Sequence, residues 1–489
     1  MKNMTRLLPG FHLQTLRRKP LSASQKMAAK QRDIRRKSIS QLGDCFGSFI
    51  PGQELSHASS GTFSRQRIFS KANTFWGFFS QVLDAEGGCQ EVVRRFQAFA
   101  ATQKTTVPSS STAAYCAARR KLETSSLERI LSHTTAKLQQ SNTDACWLGH
   151  RVVVVDGTGL STPDTPANQQ VWPQPRSQKP GCGFPQLRLC ACFCLHTGAL
   201  LSHQIGSRKN HELPLLRKQW STFKSGDIFL GDKGFCSYYD VSKFKDQGVN
   251  SVITLARRKP VTDSTAIKVL GKGDLLIHWP KPVWSKRSSY TKEEWYALPD
   301  QLTLRQIKVI INTPGFRAKE FYIITTLTDA RRYSAKALAE LYYQRWDVEL
   351  FFRDIKTTLG MDILRCKSPE MVYKEILMHF IVYNSIRRLM FEAASQQDIL
   401  PRTISVKGSL QALRQWQPIL NQADIKPLER QRLMVLLYEA IADATLCERP
   451  GRREPRCVKR RPKPFQLMTA PRQVMTEAIH RGRNHAKQA

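Results

Sequence analysis

Two aspartates and one four-residue constellation carry the chemistry in this chain. Asp156 closes the apolar run RVVVVD and is followed by GTGL; Asp232 closes GDIFLGD and is followed by KGF. The stretch YYQRWDVELFFRDIK, residues 342 to 356, carries Tyr342, Arg345, Glu349 and Lys356. Three carboxylates brought to one place repel one another. They tolerate that if they hold hard cations such as Mg²⁺. Two such ions about 4 Å apart can activate a water or a 3′-hydroxyl and stabilise the leaving oxygen of a phosphodiester. Arg grips a phosphate bidentately, Lys adds a point charge and Tyr a hydroxyl donor. Each piece also has a plainer use. A lone Asp at a strand end more often serves a turn or a helix cap, and a charge stripe is more often a solvated face with an (i, i+4) Arg345–Glu349 pair.

Strands and one helix must position these groups. RVVVVDGTGL and GDIFLGDKGF are β-branched or apolar runs bounded by glycine, so both read as buried strands that end at an aspartate. Ligands of α/β sheets gather outside strand ends. On a continuous helical wheel with Tyr342 at zero, Arg345, Glu349 and Lys356 fall at about 300°, 340° and 320°. This polar stripe runs between Val348, Phe352, Ile355 and Leu359 on one side and Trp346 and Leu350 on the other. The wheel makes Glu349 semi-buried and turns Asp347 and Asp354 toward water.

Composition narrows the partner. The 489 residues hold 76 Lys and Arg against 39 Asp and Glu, a formal charge of +37, which points to a polyanion, most simply nucleic acid. No apolar run of 18 residues is present to span a membrane, and no apolar segment follows the basic N-terminus as in a secretory signal. The 12 cysteines are scattered, as in a reducing cytosol. Cys190, Cys192 and Cys194 share one strand face as small hydrophobes, not as a zinc site.

The organisation reads as α/β. Residues 1–45 form a basic arm, and 46–148 a set of short helices suited to DNA binding, helix-turn-helix-like. Residues 149–392 form the core, with a β-rich insertion over 257–320. Helices continue over 393–447, and 448–489 is a basic Pro- and Arg-rich tail suited to lying over nucleic acid. Strand, hairpin, strand and then helices suit an RNase H-like mixed sheet.

The spacing Tyr342-x2-Arg345-x3-Glu349-x6-Lys356 resembles in full the signature of the DDE transposases of the insertion-sequence 4 family. Asp156 and Asp232 are similar to that family's first two catalytic aspartates, and the insertion before the glutamate helix is similar as well. The resemblance implies that Asp156, Asp232 and Glu349 are catalytic and bind two Mg²⁺, with Mn²⁺ as a substitute. It implies that Tyr342, Arg345 and Lys356 contact the transposon end. It further implies a cut-and-paste bacterial enzyme that binds terminal inverted repeats, cleaves them and joins the freed 3′-hydroxyls to target DNA. It would act as a homodimer in the synaptic complex, in the cytoplasm at the nucleoid. In the family a Trp on the strand before the glutamate helix stacks on a flipped base. This sequence departs from that: Tyr322 in FYIITTLTD is the neighbouring aromatic, with Trp279, Trp284 and Trp295 as alternatives. Two other readings stay open, a two-metal nuclease that does not join, and a non-catalytic DNA-binding derivative of a transposase.

Overall fold

The computed structural model describes residues 46 and 49–446, apart from 66, 85–86, 103–106, 141–146, 257–259, 286–288, 311–319 and 421–426, together with scattered residues between 467 and 484. The expected basic arm, and most of the expected basic tail, lie outside the described residues.

Four helices come first: α1 (Lys71–Leu83), α2 (Cys89–Thr102), α3 (Ala113–Lys121) and α4 (Thr124–Gln140). Ser70 caps α1, its side chain accepting from the Asn73 amide, the usual way to satisfy one orphan donor. Residues Asn73 to Leu83 of α1 are buried with the exception of Gln81, so α1 is a core helix and does not present a surface to DNA.

The sheet follows. Strands β1 (Val152–Ser161), β2 (Gln186–Cys194) and β3 (Leu200–Ser207) form an antiparallel meander. Helix α5 (Glu212–Arg217) leads to β4 (Ile228–Gly231), and α6 (Tyr238–Asp246) to β5 (Asn250–Thr254). β4 runs parallel to both β1 and β5. Then come β6 (Lys268–Gly271), β7 (Asp274–Pro280), β8 (Gln301–Ile310) and β9 (Glu320–Thr325). The nine strands form one sheet in the order β3-β2-β1-β4-β5-β9-β8-β7-β6. The β-rich insertion therefore extends the same sheet through β9 instead of forming a separate one.

Strand alternation divides the core in two. Val152, Val154, Ile228, Leu230, Val252 and Ile323 belong to the larger apolar cluster. Val153, Val155, Phe229, Ile253 and Ile324 belong to the smaller one, which α5 and α6 cover with Leu215, Leu216, Val241 and Phe244. Helices from both ends of the chain cover the larger face, so residues such as Phe75, Val93 and Leu127 share one apolar cluster with the sheet. Each fully buried Val, Leu or Phe contributes about 1.5–3 kcal/mol.

The C-terminal half is helical. α7 (Ala335–Tyr343) passes into a tight 3₁₀ turn (Gln344–Trp346), then α8 (Asp347–Arg353), then a wide π-turn (Asp354–Thr358). The 28-residue α9 (Pro369–Gln396) follows, then α10 (Val406–Leu420) and α11 (Pro427–Asp443). Among the described residues no helix is long and apolar enough to cross a membrane.

The continuous wheel needs correction. A 3₁₀ turn advances more than 100° per residue and a π-turn less, so positions drift off a single α-helical stripe. Asp354 is buried and ion-paired with Arg387, and Asp347 pairs with Arg402 at 3.1 Å, so neither lies on a wet face. Glu349, expected to be semi-buried, is exposed, as is Trp346.

Candidate active site

Strand register brings the two aspartates together. In the parallel β1–β4 pair Val152 faces Ile228, Val153 faces Phe229 and Val154 faces Leu230. The same offset sets Asp156 beside Asp232. β1 does not stop at Asp156, as the sequence suggested, but runs on to Ser161 because β2 keeps pairing with it. It is β4 that ends at Gly231, and this leaves the edge of β1 without a strand partner from Asp156 until Ser161, which bridges to Ile363. By alternation both aspartates share the face of Val154 and Leu230.

Local bonds hold each carboxylate. Oδ1 of Asp156 accepts from the Gly157 amide at 2.7 Å, and Oδ1 of Asp232 accepts from the Gly234 amide at 2.7 Å. Burial pushes the Asp156 carboxyl up to about 6, and the negative charges of Asp232 and Glu212 add to that while the Gly157 amide and Arg345 oppose it. Asp156 therefore feels Asp232 and Arg345 directly. Gly157 leaves room for a close neighbour: a Cβ there would lie 2.3 Å from Oε1 of Glu212, which Arg188 holds at 2.8 Å, so that side chain would have to shift.

The motif helix supplies the donors. The Tyr342 hydroxyl bonds Thr254 Oγ1 at the end of β5, next to Asp232. Burial raises its proton affinity, and Thr254 and Arg345 oppose that. Arg345 is 6% exposed, its guanidinium 4.4 Å from the Trp346 ring centroid, and its buried Nε has no hydrogen-bond partner among the described residues. A buried donor left open in this way is costly and marks a place for a ligand or a water. Lys356 Nζ donates to Thr158 Oγ1 at 3.0 Å and to the Gly159 carbonyl at 3.2 Å, both on the open stretch of β1.

Asp156, Asp232, Tyr342 and Arg345 thus meet at one sheet end, with Lys356 two to three residues further along β1. Glu349 does not complete the group: it is exposed, and no ion pair or hydrogen bond joins it to Arg345 among the described residues. Among the described residues no three His, Cys, Asp or Glu side chains stand close enough to hold a metal ion. The donors of the Asp156–Asp232 pair, oxygen only, half-buried and mutually repelling, fit a hard divalent cation.

Tyr322 is not part of this site. It alternates with Phe321 and Ile323 on β9, so it lies on the other face of the sheet, where the Lys308 Nζ stands 5.9 Å from its ring centroid. Trp279 and Trp295 are buried in the smaller core, and Trp284 packs against it. The aromatic of β9 on the aspartates' face is Phe321, 5.2 Å from the Tyr342 ring. Thr254, Glu212 and Arg387 escape a sequence reading, because each acts through an element distant in the chain. Only the glycine after Asp156 hinted at a close neighbour.

A family model for the transposase DDE domain matches residues 147–385. Transposase InsG for insertion sequence element IS4 of Escherichia coli (strain K12) is 25% identical over 453 residues, 91% of this chain and 97% of that protein. The probable transposase for insertion sequence element IS5377 of Geobacillus stearothermophilus is 32% identical over 81 residues, 17% of this chain and 21% of that protein. Among solved structures, a piggyBac transposase synaptic complex with hairpin DNA aligns over 84% of this chain and 86% of that chain at 12% identity and a TM-score of 0.40.

Proposed function

We propose that this chain, a member of the DDE transposases of the insertion-sequence 4 family, binds the terminal inverted repeats of an insertion sequence and cuts and joins DNA there by two-metal phosphoryl transfer. One observation carries the reading: the β1–β4 register sets Asp156 beside Asp232 on the face where Tyr342 and Arg345 also lie. The sheet supports an RNase H-like core, since antiparallel β3-β2-β1 continues into parallel β4 and β5. That core takes in residues 149–392, with the helices of 46–148 other than the buried α1 toward the repeat.

Asp156 and Asp232 would hold the cations in this reading, with the exposed Glu349 side chain as the third ligand. Two Mg²⁺, or Mn²⁺ in their place, supply the activation of the attacking oxygen and the neutralisation of the leaving one. The chain's own donors do the positioning. Arg345 offers its open Nε and fork to a phosphate, Tyr342 a hydroxyl and Lys356 a charge. Water frees a 3′-hydroxyl at the element's end, that hydroxyl attacks the opposite strand to form a hairpin, water reopens it, and the freed ends attack the target. An extruded base would stack on Phe321 or on the exposed Trp346, not on Tyr322. Two copies of the chain pair the two ends.

The test is strand cleavage of a duplex that carries the element's own terminal repeat, with Mg²⁺, by wild type against Glu349→Gln. The expected result is a break at the repeat boundary with wild type and none with the variant, which still binds. The exposure of Glu349 favours one second reading, a DNA-binding derivative that no longer cuts. Binding by wild type without cleavage in either Mg²⁺ or Mn²⁺ would select it.

A further inference from the structure

We infer that Asp354 and Arg387 are positioning residues: their buried ion pair holds the π-turn after α8 so that Lys356 is presented to DNA from the edge of β1. The catalytic side of this rests on the reading of Lys356 as a phosphate contact; the placement of Lys356 does not.

The π-turn is an expensive local structure. The Leu359 amide reaches back to the Asp354 carbonyl at 3.0 Å, and the Asp362 amide to the Lys356 carbonyl at 3.1 Å, so these amides bond five and six residues back instead of four. Such turns are rare and gather at functional sites. Something outside the turn must hold it open, and the first residue of the turn shows what does. Asp354 is 7% exposed, and its Oδ2 accepts from Arg387 Nη2 at 3.2 Å.

Arg387 is itself held on several sides. It is 2% exposed; its Nε donates to the Tyr383 hydroxyl at 2.9 Å, and that hydroxyl donates to the Gly198 carbonyl at 2.7 Å. Its guanidinium stands 5.0 Å from the Phe351 ring centroid and 5.1 Å from that of Tyr383. Gly198, at φ +66° in the β2–β3 turn, leaves just enough room: a Cβ there would come 2.7 Å from the Arg387 guanidinium carbon. One side chain on α9 therefore ties the hairpin turn, α8 and the π-turn together.

Two residues further on, Lys356 projects toward β1 and donates to Thr158 and Gly159. A buried ion pair stabilises little compared with apolar residues of the same size; in some proteins its use is to specify geometry. What this pair specifies is which way the turn faces, and with it the one motif residue that the turn carries.

The test is residue-resolved acylation of lysines by an N-hydroxysuccinimide ester, read by mass spectrometry on the full-length protein well below its melting temperature. Wild type is compared with Asp354→Asn and with Gly198→Ala, which displaces Arg387 without touching the motif helix. The expected result is a several-fold faster modification of Lys356 in both variants, with Lys336 and Lys367 unchanged. An unchanged Lys356 rate in both variants, or a rise shared by all lysines, would overturn the inference. Terminal-repeat cleavage adds a double-mutant cycle: Asp354→Asn costs about tenfold alone and nothing more in a Lys356→Ala background, whereas losses that multiply would mark a merely structural role. If wild type cuts no DNA, the functional reading fails, and the acylation result still decides the placement.

Discussion

The sheet end and the motif helix bring their groups to the site by different means. Asp156 and Asp232 sit on paired strands, where backbone hydrogen bonds set the register and a slip of one residue would turn both carboxylates to the other face. The donors and Glu349 sit on a helix broken by a 3₁₀ turn and a π-turn, each an irregularity that the surroundings must hold. The strand pair is held by its register, whereas the Glu349 side chain on the helix is exposed to solvent. The contrast teaches where rigidity is required: two like charges can be forced together only by a frame stiffer than their repulsion.

Substitutions separate the sheet-held groups from the helix-held ones. The largest effect is expected from Asp232→Asn, which removes one of the two sheet-held carboxylates: terminal-repeat cleavage should fall by about 10³ or more, measured with binding kept intact. Gly157→Ala tests the stiffness of the frame. Its Cβ meets the Glu212 side chain, which can shift only by loosening its pair with Arg188, so the fold should lose about 1 kcal/mol in denaturant titration. Arg345→Lys tests the helix side: it keeps the charge but loses the fork, and cleavage should fall about 10- to 100-fold.

A smaller effect concerns stability. Burial lifts the Asp156 carboxyl to about 6 in the folded chain, above the 3.8 usual for an aspartate, so the folded state binds that proton more tightly than the unfolded state does. Its ionisation therefore costs stability, a cost absent below about pH 4, growing between pH 4 and 6, and full above that. Asp156→Asn should raise the stability of the metal-free protein at pH 8 by about 1–2 kcal/mol, after discounting for partial exposure, and leave it unchanged at pH 4. A thermal melt at the two pH values checks this. The smallest effect is expected from Tyr322→Phe, on the far face of the sheet, with cleavage unchanged, while Phe321→Ala should slow second-strand processing.

Much of this was legible in the sequence, and unevenly so. The strands VVVV and IFLG announced themselves by β-branched apolar runs; Asp232 does follow the end of its strand, whereas the strand of Asp156 runs on to Ser161. The four-residue spacing identified the helix. The direction of its side chains was not legible, because a wheel assumes one period and this helix uses three. Tyr322, the aromatic the sequence offers, stands one residue from Phe321, which in a strand means the opposite face. Thr254 behind Tyr342, Glu212 behind Gly157 and Arg387 behind Asp354 leave no local signature, since only the tertiary fold makes them neighbours.

The account stands on Asp156, Asp232 and Glu349 meeting around a divalent cation when DNA is bound. The most direct measurement replaces Mg²⁺ with Fe²⁺ on the DNA-bound protein and, with ascorbate and peroxide, maps where radicals formed at the metal cut the polypeptide. The expected result is cleavage near residues 156, 232 and 349 that excess Mg²⁺ suppresses and Asp232→Asn abolishes. Cuts confined to other segments, or cuts near 156 and 232 with none near 349, would contradict it.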